Sequence, residues 1–197
     1  MLLGDERLRM GGTEAQIVEW LNRPRSGFLD AVMWVVSAAG DWGVIWWVMC
    51  AALAAFGGAE GRKVALCVVV ALLLTVAVEH VIKALHFRPR PYMTLPEVRV
   101  LSKTWENSSF PSGHASAGAA ATVLAGRWWR AGLVAWVFAL LSAFSRVCLG
   151  MHWPSDVIVG LIEGVAAGAV VLLVARRWGA DFVRAAGPPR EERGERQ

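Results

Sequence analysis

The chain has 197 residues, 56% of them hydrophobic and only 18% charged, with a formal charge of +4 and a mean hydropathy of +0.45. Apolar runs such as Val64–Val78 and Ala131–Leu141 exceed what a soluble core needs and argue for membrane helices, each span requiring roughly 20 mostly apolar residues. The length excludes a second large domain. The basic residues flank apolar segments, which favours membrane topology over nucleic-acid binding.

Met1–Gly12 carries Asp5, Glu6, Arg7 and Arg9 without an apolar stretch, so a cleaved signal peptide is not expected there. Thr13 with Gln16 fits a capping box, and Ile17, Val18, Trp20 and Leu21 give the next turns an apolar face. Thr13–Asn22 is therefore expected as an interfacial helix lying on the membrane. The fold expected is all-α, an integral membrane bundle of six transmembrane helices. The spans are Phe28–Ala39, Val44–Phe56, Val64–Leu85, Ser112–Ala125, Ala131–Leu149 and Ser155–Val174. The first, second and fourth are short, so they must borrow less apolar flanks or lie inside the bundle. Asp41-Trp42-Gly43 is a tight connection, Gly57–Gly61 a glycine-rich turn, and Pro91–Phe110 the longest loop. Residues 1–25 form the N-terminal segment, 26–177 the transmembrane catalytic domain, and 178–197 a tail whose Pro188-Pro189 and alternating Arg and Glu favour disorder.

Fourteen Lys and Arg fall on one side of this layout and six on the other. The positive-inside rule then places both termini in the cytoplasm, in a multi-pass protein of the cytoplasmic membrane. Small residues recur at Ala115, Gly118 and Ala119, and at Gly160, Gly164, Ala167 and Gly168, as close helix packing in lipid requires. Cys50, Cys67 and Cys148 sit at unrelated spacings in apolar sequence and are expected as packed free thiols.

Three polar clusters interrupt the apolar chain: Lys83 with Arg90-Pro91, Pro111-Ser112-Gly113-His114, and Ser145-Arg146 with His152 and Asp156. All three fall on the outer face in this topology, and ionisable groups near hydrocarbon usually mark function. Lys83, Arg90 and Arg146 suit a cradle for phosphate oxygens. Pro111 suits a helix start, where the backbone N–H groups of Ser112 and Gly113 would meet an anion. Glu79 lies one turn before Lys83 and can pair with it. Glu163 lies two turns beyond Asp156, deeper in the bundle. Arg88 reads as an ordinary loop cation, His80 and His86 as structural or interfacial, and Tyr92 and Trp105 as interfacial anchors.

In order and spacing the three clusters resemble the signature of the type 2 phosphatidic acid phosphatase (PAP2) superfamily, over roughly Lys83–Gly160. The resemblance implies a membrane lipid phosphatase hydrolysing a phosphomonoester or pyrophosphate of a lipid headgroup taken from the bilayer. It implies that His152 is the nucleophile, forming a phosphohistidine, that Asp156 orients it, and that His114 is the acid. No metal or other cofactor is expected. Transfer of the phosphoryl group to a lipid acceptor would use the same residues. An ion-coupled transporter would instead expect charges in the middle of several helices.

Overall fold

The computed structural model describes residues 12–24 and 26–177. Among them the regular elements are all helices: α1 Thr13–Asn22, α2 Gly27–Gly40, α3 Val44–Phe56, α4 Gly58–Leu85, α5 Pro91–Thr94, α6 Gly113–Ser116, α7 Gly118–Arg127, α8 Trp129–Cys148 and α9 Pro154–Arg177. Among the described residues, four helical runs are long and apolar enough to cross a membrane: Gly27–Phe56, Gly58–Leu85, Trp129–Cys148 and Pro154–Arg177.

The first of these runs corrects the six-span layout. Phe28–Ala39 and Val44–Phe56 do not fold back on each other. Ser37 meets Arg146, Gly40 lies against Ser142, and Trp46 packs edge-on to Phe138 at 5.7 Å. α2 thus runs down α8, and α3 continues in the same direction while packing mainly on α4. The break between them is the 3-10 turn Asp41–Gly43, where Trp42 (φ 56°) and Gly43 (φ 67°) are both left-handed. A tryptophan in that region stores strain of about 1–3 kcal/mol, which the surrounding packing must offset.

α7 is the helix at the centre. Ala119, Ala120, Ala121 and Val123 have no solvent-exposed surface, and α4, α8 and α9 all pack on it. It can be short because bundle, not lipid, surrounds it. Gly160, Gly164 and Gly168 form a ridge on α9 against α6 and α7: a Cβ on Gly160 would sit 2.5 Å from the Ser112 carbonyl oxygen, and one on Gly164 2.6 Å from that of Ser116. Backbones in this seam approach to contact, as small residues permit.

α1 lies at the end of the bundle that holds the polar clusters. The Asn22 side chain donates to the carbonyls of Arg99 (3.1 Å) and Cys148 (3.0 Å) and accepts from the Arg99 N–H at 2.6 Å. Glu14 accepts from the Ser155 N–H at 2.8 Å. This departs from the expectation that the N-terminal segment lies opposite the clusters: α1, and Arg23 just after it, stand at the cluster end, while both chain termini fall outside the described residues. The capping box is also not formed: Gly12 is the N-cap and no side chain caps the helix. The expected tail disorder falls on residues outside those described.

The seam sets a test. Gly164→Leu should lower the melting temperature in detergent by the equivalent of about 1–3 kcal/mol or more, as overpacking does. Gly27→Ala, with nothing within 4 Å of the added carbon, should leave it nearly unchanged.

Candidate active site

α9 opens with Pro154, whose ring suits the first helical position. Two residues later Asp156, with no exposed surface, turns back so that Oδ2 accepts the Trp153 N–H at 2.9 Å. Arg88 Nη1 donates to Oδ1 at 2.6 Å, and the Asp156 carbonyl accepts the Ser112 N–H at 3.1 Å. His152 Nδ1 lies 3.6 Å from Asp156 Oδ2. On the other side of the ring, Arg90 Nη1 is 3.1 Å from His152 Nε2. A guanidinium only donates, so Nε2 must accept, which puts the ring proton on Nδ1, facing the carboxylate. Burial, followed by the charges of Arg90 and Arg146, holds the imidazole pKa well below its ordinary value. The ring is neutral, with its lone pair on Nε2.

Arg90 is buried and committed. Nε donates to the Asn107 carbonyl (3.2 Å), Nη2 to Asn107 Oδ1 (2.7 Å) and the Ser108 carbonyl (3.3 Å), and Nη1 to the Met151 carbonyl (3.0 Å) and to His152. Its five N–H groups therefore have five acceptors, and only the one on His152 faces a group that a phosphate oxygen could replace. This guanidinium joins the loop before α6 to the turn before α9.

His114 and Arg146 gather around the end of α2. His114 Nε2 is 3.1 Å from Asp41 Oδ1 and 3.2 Å from the Ser37 carbonyl oxygen. Arg146 Nη1 donates to Ser37 Oγ at 2.6 Å and lies 3.8 Å from Asp41 Oδ1. Arg146 Nε is buried without a partner. Lys83 pairs with Glu79, and Gly113 is what lets that pair in: a Cβ there would come within 2.8 Å of both Glu79 carboxylate oxygens. Ser112 departs from expectation. Its N–H is spent on Asp156, its Oγ is buried without a partner, and it stands behind the site. Glu163 buries both carboxylate oxygens without a hydrogen bond.

Lys83, Arg90, Gly113, His114, Arg146 and His152 share one cavity of about 420 Å³. It continues between α3 and α4, past Trp46, Trp47, Leu72, Thr75 and Val76. Trp47 and Val76 are also exposed on the lipid-facing surface of the helices. His80 lies along this cleft, bonded through Nδ1 to the Val76 carbonyl at 2.8 Å. His86 packs edge-on to Phe110 away from the cavity. Tyr92 and Trp105 staple the long loop: the Tyr92 hydroxyl donates to the Trp105 carbonyl and accepts its N–H at 3.0 Å.

Sequence reasoning missed three side chains here. Arg88 is no ordinary loop cation: besides Asp156 it donates to Ser155 Oγ at 2.6 Å and to Glu14 Oε2 at 2.7 Å. Ser37 and Asp41 were read as span and connection. The one available signal was a carboxylate, Asp41, at the outer end of an apolar run.

A helical bundle with long apolar spans, a neutral buried histidine beside a carboxylate, and a lysine and two arginines lining the same cavity suit a membrane-embedded phosphatase. The sequence profile of the PAP2 superfamily matches residues 64–180, and the chain belongs to that superfamily. Among curated relatives, it is 37% identical over 128 residues to the decaprenylphosphoryl-5-phosphoribose phosphatase of Mycobacterium tuberculosis (strain ATCC 25618 / H37Rv), covering 64% of this chain and 70% of that one. It is 28% identical over 158 residues to an undecaprenyl-diphosphatase of Sulfolobus acidocaldarius, covering 78% and 74%. The crystal structure of Aquifex aeolicus LpxE shares the fold, with a TM-score of 0.72 at 24% identity over 82% of this chain and 96% of that one.

Removing Arg88 leaves the fully buried Asp156 carboxylate uncompensated, which costs about 3–5 kcal/mol for pairs of this kind. Arg88→Leu should therefore melt well below the wild type in detergent. An unchanged melting temperature would contradict the compensating role.

Proposed function

We propose that this protein removes a phosphate from a phosphomonoester or pyrophosphate on a polyprenyl or similar lipid, through a phosphohistidine on His152. One observation carries the reading: the only lone pair of a neutral, buried imidazole, His152 Nε2, faces a cavity lined by Lys83, Arg90 and Arg146. The cleft between α3 and α4 supports lateral capture, with the phosphate at the cations and the hydrocarbon leaving past Trp46 and Trp47. The relatives that act on decaprenyl and undecaprenyl compounds support a long prenyl chain.

In the first step the lone pair of His152 Nε2 attacks phosphorus in line with the departing oxygen, which takes a proton from His114. Water then attacks the phosphohistidine and gives a proton to His114, and the electron pair of the P–N bond returns to His152. Lys83, Arg90 and Arg146 stabilise charge on the equatorial oxygens throughout. Asp156 keeps the proton of the nucleophile on Nδ1, the same logic by which a carboxylate holds a histidine tautomer in other enzymes.

The site faces the outer side of the membrane. Support comes from the opposite end, where Arg62, Lys63, Arg130, Arg176 and Arg177 flank the spans, while most cations at the site end are drawn into the cavity or into ion pairs. α1 then lies at the outer interface, with Ile17 and Trp20 exposed, and α9 ends on the cytoplasmic side.

Purified protein should release phosphate from undecaprenyl pyrophosphate or phosphatidic acid with EDTA present, and vanadate should inhibit as a five-coordinate mimic. Activity lost to EDTA and restored by magnesium would remove the cationic cradle as the sole source of positive charge. His152→Ala should abolish turnover in a folded protein, and brief incubation of wild type with labelled substrate should leave acid-labile, base-stable label absent from that variant. Because burial and the neighbouring guanidiniums keep His152 neutral, the acid limb of kcat/KM should fall below the ordinary histidine value of about 6.5. An acid limb above that value would contradict the assignment.

A further inference from the structure

The segment Ser37–Gly43 lies outside the matched stretch 64–180, yet it closes around His114. Asp41 Oδ1 and the Ser37 carbonyl oxygen stand 3.1 and 3.2 Å from the same nitrogen, His114 Nε2. Both are acceptors, so Nε2 carries the ring proton and Nδ1 is the nitrogen left to exchange one. Arg146 reaches the same two residues, donating to Ser37 Oγ at 2.6 Å and lying 3.8 Å from Asp41.

The backbone is shaped for this approach. A side chain on Gly40 would place its Cβ 2.9 Å from His114 Cδ2 and 2.6 Å from Ser142 Oγ, so only glycine lets the end of α2 press against the imidazole. The left-handed Trp42 and Gly43 follow at once. They stop α2 at Asp41 and restart the helix as α3, so the carboxylate is offered at a helix break and aimed at the ring. A shortage of interior room, a left-handed tryptophan and two hydrogen-bonding groups four residues apart all converge on one histidine.

We propose that Asp41 is the positioning carboxylate of His114, with the Ser37 carbonyl as its second anchor. The site then holds two His–carboxylate pairs, His152–Asp156 for attack and His114–Asp41 for the departing oxygen. The assignment rests on the phosphatase reading above. As the P–O bond of the substrate breaks and the P–Nε2 bond to His152 forms, Nδ1 of the His114 imidazolium gives its proton to the departing oxygen. The Asp41 charge stabilises that imidazolium while holding Nε2–H. In the hydrolytic step the neutral Nδ1 takes a proton from the attacking water.

The test is to vary how much the departing oxygen needs a proton. p-Nitrophenolate leaves without one, whereas an alkoxide does not. Asp41→Asn, in the full chain in detergent, should lower kcat/KM for octyl phosphate, which reports the steps up to formation of the phosphohistidine, about 10²-fold, the scale of general-acid catalysis. The loss on p-nitrophenyl phosphate should be smaller by about tenfold or more. His114→Asn should show the same split, and the double variant should be no worse than His114→Asn alone. Both rates are taken from one preparation, so their ratio is unaffected by any unfolded fraction. Equal losses on the two substrates, or no loss on either, would overturn the role of Asp41. A wild-type protein that releases phosphate from neither substrate would overturn the phosphatase reading itself.

Discussion

The arrangement of this site depends on a carboxylate that touches no water. Asp156 has no exposed surface, and a charge in such a place persists only when paired and hydrogen-bonded. Two of the three polar clusters contribute to that, directly or through a neighbour, and the third holds the same residue by its backbone. Arg88, from the stretch between Lys83 and Arg90, supplies the countercharge. Ser112 gives its N–H to the Asp156 carbonyl, and Trp153 gives its own to the carboxylate. α1 joins through Glu14, which grips Arg88 and the Ser155 N–H. Segments distant in sequence are thus tied to the first turn of α9 around one residue.

The same economy governs the cations. A guanidinium near hydrocarbon is costly unless its donors are used. Arg90 uses all of its donors on the loop before α6 and the turn before α9, whereas Arg146 uses Nη1 on Ser37 and lies near Asp41 while its Nε is buried without a partner. The glycine ridge of α9 makes this possible, because it brings the α6–α7 backbone close enough for Ser112 and Asp156 to meet. Packing in the apolar seam and electrostatics at the bundle end are therefore one structural problem.

Much of this was legible from the chain. Apolar runs located the spans after Val64 to within a few residues, and the clusters named every cationic and imidazole side chain that lines the cavity except His80. What could not be read is of one physical kind: partnerships across long stretches of sequence. Ser37 and Asp41 lie 77 and 73 residues before His114, and no local pattern signals that contact. Arg88 and Arg90 are equivalent by type, and only geometry assigns one to the carboxylate and the other to the histidine. The two short apolar runs of the first span imply a hairpin, yet two left-handed residues give a kink. Charge counting misplaced α1 for a related reason. It treats every Lys and Arg as a topology signal, whereas Arg88, Arg99 and Arg146 are already engaged by acids of the fold.

The full commitment of Arg90 bears on the resting state in the proposed reaction. One of its N–H groups covers the lone pair of His152, and the other four are fastened to the backbone and to Asn107. A molecule entering the cleft without an oxyanion offers nothing to draw that N–H away, so the imidazole stays capped. An arriving phosphate oxygen is a better acceptor than a neutral ring nitrogen, and taking the N–H uncovers the nucleophile. Occupancy and reactivity then become a single event, and a lipid that brings no phosphate oxygen to Arg90 leaves the nucleophile covered.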